Sequence, residues 1–257
     1  MLRRLDPVRI LSALTLLAAV VLAGWWAWEN LGTSWRANHA EATALDAYTS
    51  DHPLPDQVGE LRDDLDNAPP GPAAGTMGVL WVPSWAGEQG VRRDTHDGRT
   101  PIVVGVTNAV LARGAAGWFP QSPAPGEVGN TALAGHRRTY GDNFLHIDDL
   151  VAGDAIVVET PQAWFVYEVR VPGYLVDPAR GAEVLAPAPA GLRDGGRYLT
   201  LVSCHSVTDG EWGNDHRMIV HAEQVGWLPH DAGVPPQLAG LASASASAAT
   251  RSHSTST

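Results

Sequence analysis

Tyr198-Leu199-Thr200-Leu201-Val202-Ser203-Cys204 is a run of β-branched, aromatic and aliphatic residues that reads as a β-strand and ends on the single cysteine of a 257-residue chain. Strand side chains alternate, so Thr200, Val202 and Cys204 share one face while Leu201 and Ser203 share the other. His205 follows at once, and while the strand persists its ring points away from the thiol. One cysteine cannot form an internal disulfide. Cys204 is therefore a buried inert thiol, half of an intermolecular bridge or a reactive nucleophile.

Seven further short apolar runs, at 77–82, 102–104, 131–134, 154–159, 164–170, 174–176 and 217–222, are separated by Gly, Pro and Asp. About eight strands without a sustained 3.6-residue period predict an all-β fold, a closed barrel or a sandwich, with helices confined to loops such as 109–114. All eight runs fall within residues 76–229, a span long enough for one buried core. The sequence carries no internal repeat.

Outside that span the composition changes. Residues 10–28 are uncharged and rich in Leu, Ala and Val, and as a helix they extend about 28 Å, close to the hydrocarbon thickness of a bilayer. Arg3, Arg4 and Arg9 precede this stretch and the next basic residue is Arg36, so the positive-inside rule assigns residues 1–9 to the cytoplasm and the rest to the outside. Trp25, Trp26 and Trp28 read as an interfacial belt. A cleaved signal peptide is the competing reading, and it exports the rest equally. Residues 29–75 read as an extracellular linker with a short helix around 34–48, an acidic run at 56–66, and then Asn67-Ala68-Pro69-Pro70-Gly71-Pro72, which forbids regular helix. Residues 230–257, rich in Ser, Ala and Thr, read as a disordered tail. The net charge of −11 argues against nucleic acid as a partner.

A catalytic cysteine needs a nearby imidazole or cation, because the thiolate is the attacking species. His136 suits the first role: it closes the small-residue strand Asn130-Thr131-Ala132-Leu133-Ala134-Gly135-His136, and Gly135 lets another group approach closely. Arg217 opens the strand Arg217-Met218-Ile219-Val220-His221. If the polar loop 205–216 joins antiparallel neighbours, Arg217 lies beside Cys204, where a guanidinium can steady a substrate backbone or an oxyanion. Taken singly, each of the three is more often a core or surface residue than a catalyst. A zinc site from Cys204, His216 and His221 lacks any close-spaced ligand pair. His146, Asp148 and Asp149 read as a solvated helix or turn start.

At these residues the chain resembles a sortase, the cysteine transpeptidase family of Gram-positive cell surfaces, and most of all its class E branch. Four segments carry the resemblance in order: Gly78-Val79-Leu80-Trp81-Val82-Pro83; Leu111-Ala112-Arg113-Gly114-Ala115-Ala116-Gly117-Trp118-Phe119-Pro120; the histidine segment from Gly126 through His136 to Tyr140 and Gly141; and Leu199-Thr200-Leu201-Val202-Ser203-Cys204 with Arg217-Met218-Ile219-Val220-His221-Ala222. The resemblance implies a closed eight-stranded β-barrel with short helices in loops. It implies Cys204 as nucleophile, His136 as general acid and base, and Arg217 as the group that stabilises oxyanion and substrate, with Tyr140, Ser203 and Thr200 contacting substrate. It also implies a C-terminal sorting-signal peptide of the Leu-Ala-x-Thr-Gly or Leu-Pro-x-Thr-Gly type as substrate, cut between Thr and Gly, and a cell-wall precursor or pilin amine as acceptor.

The chemistry requires no metal or organic cofactor, and no dense carboxylate constellation demands calcium. With ordinary pKa values of about 8.5 and 6.5, the thiolate–imidazolium form is only about 1% of such a pair. Two features depart from the family. Ser203 stands where Thr usually precedes the cysteine, and His205-Ser206-Val207 replaces the Asn-Pro-like start of the next loop. A hydrolase using the same three residues, and a tethered binding module without catalysis, remain as alternative readings of the same pattern.

Overall fold

The structure, a computed structural model, describes residues 7–28, 32–72, 76–86, 98–209 and 213–241. Eight strands close into a barrel in the order β1-β2-β3-β4-β7-β8-β6-β5. They are β1 (Thr76–Trp81), β2 (Arg99–Val104), β3 (Ala116–Trp118), β4 (Gly129–Ala134), β5 (Ala155–Glu159), β6 (Ala163–Val176), β7 (Arg197–His205) and β8 (His216–Pro229). The β2–β3 and β4–β7 pairs are parallel and the rest antiparallel. Closure leaves no unpaired sheet edge.

The expected number of strands is right, but two of the assignments behind it differ. The runs at 164–170 and 174–176 belong to one strand, β6, whose register against β8 slips between Val169 and Val171 and again between Val171 and Tyr174. Pro172, which lacks an N–H, and Gly173 sit at this interruption, and the sequence pattern reads it as a break. The strand that was not expected is β3, three residues of Ala-Gly-Trp too small and too short to show an apolar run.

The barrel interior is filled by alternate side chains, among them Leu80, Ile102, Leu133, Ile156, Val158, Phe165, Leu199, Leu201 and Val220. The opposite face of β1, β5, β6 and β8 is also apolar, with Val79, Trp81, Val157, Trp164, Val166 and Leu228 in a second buried cluster. Strands buried on both faces lose the polar alternation of a half-exposed sheet, and their outer face needs a cover. Two segments supply it.

The first cover comes from residues 29–75, read from the sequence as an extracellular linker with a short helix. Helix α2 (Thr33–Asp51) runs for 19 residues and buries Ala37, Glu41, Leu45 and Tyr48 along one stripe, with Leu45 and Tyr48 in the outer cluster. The chain beyond it bridges Arg62 to Trp227 and Val58 to Val234. The second cover corrects the start of the expected tail. Residues 230–241 pack on the barrel through Val234 and Leu238, both at most 2% exposed, whereas residues 242–257 of that tail lie outside the described residues.

Helix α1 (Pro7–Ala27) is 21 residues long with no side chain buried. It is the one helix among the described residues long and apolar enough to cross a membrane. Arg3 and Arg4 lie outside the described residues. Two short helices, α3 (Asn108–Leu111) and α4 (Gly181–Val184), sit in loops.

Candidate active site

The site forms at the end of the barrel where β4 and β7 finish and β8 begins. β7 and β8 are antiparallel, and their register sets Cys204 directly opposite Arg217, so the two side chains emerge on the same face. β4 runs parallel to β7 with Ala134 level with Val202. Two hydrogen bonds continue that alignment past the strand: the Gly135 N–H donates to the Val202 carbonyl at 3.1 Å, and the Ser203 hydroxyl donates to the Gly135 carbonyl at 2.8 Å. His136 follows directly, two residues beyond the end of β4. The pairing of β7 with β8 thus sets Cys204 and Arg217 side by side, while His136 lies just past the end of the strand parallel to β7.

Gly135 makes room for this arrangement. A methyl group there would stand 2.3 Å from Cδ1 of the fully buried Phe144. The His136 ring lies 4.9 Å from the Tyr140 ring at 38°, with Thr139 Oγ1 3.4 Å from Nδ1. Its Nε2 is buried and finds no hydrogen-bond partner among the described residues. Burial pushes the pKa of His136 below its ordinary value, which favours the neutral ring. Cys204 is a half-buried free thiol. The Arg217 guanidinium donates from Nη1 to the carbonyls of Asn214 at 2.7 Å and His216 at 2.8 Å, which holds it at the mouth of the loop.

Beside Arg217 opens a groove of about 240 Å³, lined mainly by Phe119, Val176, Val184, Leu185, Val202 and Ile219. One wall is the segment around α4, between β6 and β7. Sequence reasoning passed over the residue that secures this wall. Asn130, fully buried on β4, donates from Nδ2 to the carbonyls of Val184 and Ala186, each at 3.1 Å. Its one legible signal was an amide inside a strand of small apolar residues, where burial demands partners.

Two expected substrate contacts, Thr200 and Ser203, are buried. Thr200 shares a face with Val202 and Cys204 as expected, but it lies under the α4 segment with no exposed surface. Its hydroxyl donates to Asn130 Oδ1 at 2.6 Å and lies 2.8 Å from His221 Nδ1. Ser203 is 2% exposed and points into the β4–β7 junction. Neither side chain faces the groove. His221 completes the buried chain, its Nε2 lying 2.7 Å from the Tyr174 hydroxyl, and burial pushes its pKa down to about 4.

With both ring nitrogens of His221 engaged, the zinc grouping of Cys204, His216 and His221 does not form, and among the described residues no cluster of three metal-ligating side chains occurs. His205 turns back on its own chain, where its Nδ1 accepts from the Ser206 N–H at 2.9 Å. Asp148 is not simply solvated as expected, since it pairs at 2.7 Å with the buried Arg137 in the loop after His136.

Comparison with known proteins bears on the family and the fold. Residues 94–225 match the family described as Sortase domain. Sortase SrtE1 of Streptomyces coelicolor is 36% identical over 146 residues, which are 54% of this chain and 40% of that protein, so the match spans less than half of that curated relative. Among solved structures, the SrtA sortase from Actinomyces oris superposes with a TM-score of 0.60 at 39% identity, covering 69% of this chain and 96% of that one. Sortase E1 from Streptomyces coelicolor, solved with a tripeptide in its active site, gives a TM-score of 0.55 at 31% identity over 66% of this chain and 99% of its own.

Proposed function

Because this chain belongs to the sortase family, whose members are cysteine transpeptidases, we propose that it is a membrane-anchored, externally facing transpeptidase acting on C-terminal sorting signals of the Leu-Ala-x-Thr-Gly or Leu-Pro-x-Thr-Gly type. The pairing of Cys204 with Arg217 across β7 and β8, with His136 two residues beyond the end of β4, supports the reading. His136 takes the proton of Cys204, and the thiolate attacks the carbonyl carbon of the substrate Thr. Arg217 donates hydrogen bonds to the oxyanion that forms. Collapse breaks the Thr–Gly bond while His136 returns the proton to the leaving glycine amine, and a thioester remains on Cys204. A cell-wall precursor or pilin amine then attacks, His136 accepts its proton, and an amide replaces the thioester.

A neutral His136, favoured by its lowered pKa, suits both base steps. The apolar groove beside Arg217 fits the leucine side chain of such a signal. Helix α1, with Arg9 near its start, supports a tethered enzyme whose substrates are held in the same bilayer.

Mass spectrometry of the detergent-solubilised chain, incubated with Leu-Ala-x-Thr-Gly and Leu-Pro-x-Thr-Gly peptides and an amine acceptor, tests the reading. The expected result is an acyl adduct on Cys204 and an amide product, both lost in Cys204→Ala. Free acid as the only product would reassign the protein as a hydrolase. Absence of any adduct with either peptide would leave the barrel without the proposed activity.

A further inference from the structure

We propose that α2 is a positioning helix for His136: Ala37, Asn38 and Glu41 hold the turn at residues 139–142 in the shape that lays the Tyr140 ring against the His136 imidazole. The inference rests on His136 being the acid–base group of the proposed reaction. Three consecutive residues of this turn have left-handed backbone, Tyr140 at φ 54°, Gly141 at 95° and Asp142 at 54°. Glycine adopts that region freely, but for tyrosine it is an outlier that persists only where surrounding packing imposes it.

The packing comes from α2. A methyl group on Gly141 would stand 2.7 Å from Asn38 Oδ1 and 3.5 Å from Ala37 Cβ, and one on Gly114 would stand 2.8 Å from the Ala37 carbonyl and 3.1 Å from Glu41 Cβ. The helix thus rests directly on the backbone of two glycines, one in the α3–β3 turn and one in the turn after His136. Ala37 has no exposed surface and Glu41 is 1% exposed, so this is a closed contact rather than a grazing one. In the same turn the Tyr140 ring lies 4.9 Å from the His136 ring.

The chain of contact is therefore helix to glycine turn, turn to Tyr140, Tyr140 to His136. Further along, α2 packs through Leu45 and Tyr48 on the β1–β5–β6–β8 face. That separation lets one helix be perturbed at two places with different consequences. Proton transfer tolerates little misplacement, and a displacement near 1 Å can cost about a hundredfold in rate.

The test compares Ala37→Leu, which pushes the helix off both glycines, with the conservative Ala37→Ser and with Leu45→Ala, which loosens α2 away from the turn. Each is made in the full chain in detergent. Asn38→Ala, a deletion at the same contact, serves if Ala37→Leu does not fold. Turnover of the sorting peptide and the NMR resonance of the His136 ring, which senses the Tyr140 ring current, are both read. The expected result for Ala37→Leu or Asn38→Ala is a fall in kcat of about tenfold or more with KM changed less than about twofold, together with a moved His136 resonance. Ala37→Ser restores both, and Leu45→Ala lowers Tm while moving neither. Unchanged kcat and resonance in Ala37→Leu and Asn38→Ala, or the same losses in Leu45→Ala, would overturn the proposal. The resonance needs no turnover, so an unaltered chain that fails to process peptide would count against the proposed function and leave the positioning role to be decided by NMR.

Discussion

His221 makes a quantitative link between burial and acid stability. It is fully buried, its ring nitrogens lie 2.8 Å from Thr200 Oγ1 and 2.7 Å from the Tyr174 hydroxyl, and burial holds its pKa down at about 4 against 6.5 for an exposed imidazole. Above pH 6.5 the ring is neutral in both folded and unfolded chains and contributes no pH dependence. Below that, the unfolded chain takes up a proton that the folded one refuses, so native stability falls as pH drops until the folded pKa is reached. At 1.36 kcal/mol per unit the loss between pH 7 and pH 4 is about 3 kcal/mol.

Equilibrium urea denaturation followed by tryptophan fluorescence, at pH 7.5 and 4.5, measures it. His221→Gln should cost about 1–3 kcal/mol at pH 7.5, because glutamine cannot satisfy both Thr200 and Tyr174. The same variant should lose most of the acid-induced drop. His136, also held below its ordinary value by burial, adds a contribution of the same sign. The exposed carboxylates with lowered pKa values, Asp64, Glu183 and Asp215, add a loss of the same sign as pH falls into the ordinary carboxylate range. An acid-induced loss as large in His221→Gln as in the parent chain would refute the reasoning.

Two further substitutions probe the frame of the site. Ser203→Ala removes the hydrogen bond that aligns Gly135 with β7 and leaves a buried carbonyl unpaired, so thermal denaturation should show about 1–3 kcal/mol of destabilisation and peptide turnover should fall, while Ser203→Thr keeps the hydroxyl and retains both. Gly78, at φ 151° in the irregular start of β1, has the Glu159 carbonyl oxygen 1.7 Å from where a Cβ would stand; Gly78→Ala should therefore yield no folded barrel by circular dichroism, and a cooperative, parent-like melt would contradict the register of β1 against β5.

The strands whose side chains face the barrel interior were legible because their pattern is local. Runs such as Tyr198-Leu199-Thr200-Leu201-Val202 and Trp164-Phe165-Val166-Tyr167 announce themselves by β-branched and aromatic density. The adjacency of Cys204 and Arg217 was legible for the same reason, since a single loop joins their strands and an antiparallel return nearly dictates which residues oppose. His136 is different. Its strand reaches β7 by a parallel pairing across some 70 residues of intervening chain, and no local rule sets that register.

What the sequence by itself determined, then, is the all-β class, the lone thiol, the membrane-length apolar helix and the residue types available for nucleophile, base and cation. Tertiary structure decided which of these meet and what surrounds them. It docked the helix at residues 33–51 over the barrel, because the outer faces of β1, β5, β6 and β8 carry Val79, Trp81, Val157, Trp164 and Leu228 and need shielding from water. It withdrew Thr200 and Ser203 from the groove into hydrogen bonds with Asn130 and Gly135, since a buried hydroxyl must find a partner and both partners come from a distant strand. Local patterns report how each segment prefers to lie, whereas burial and polar pairing are settled only between segments far apart in the chain.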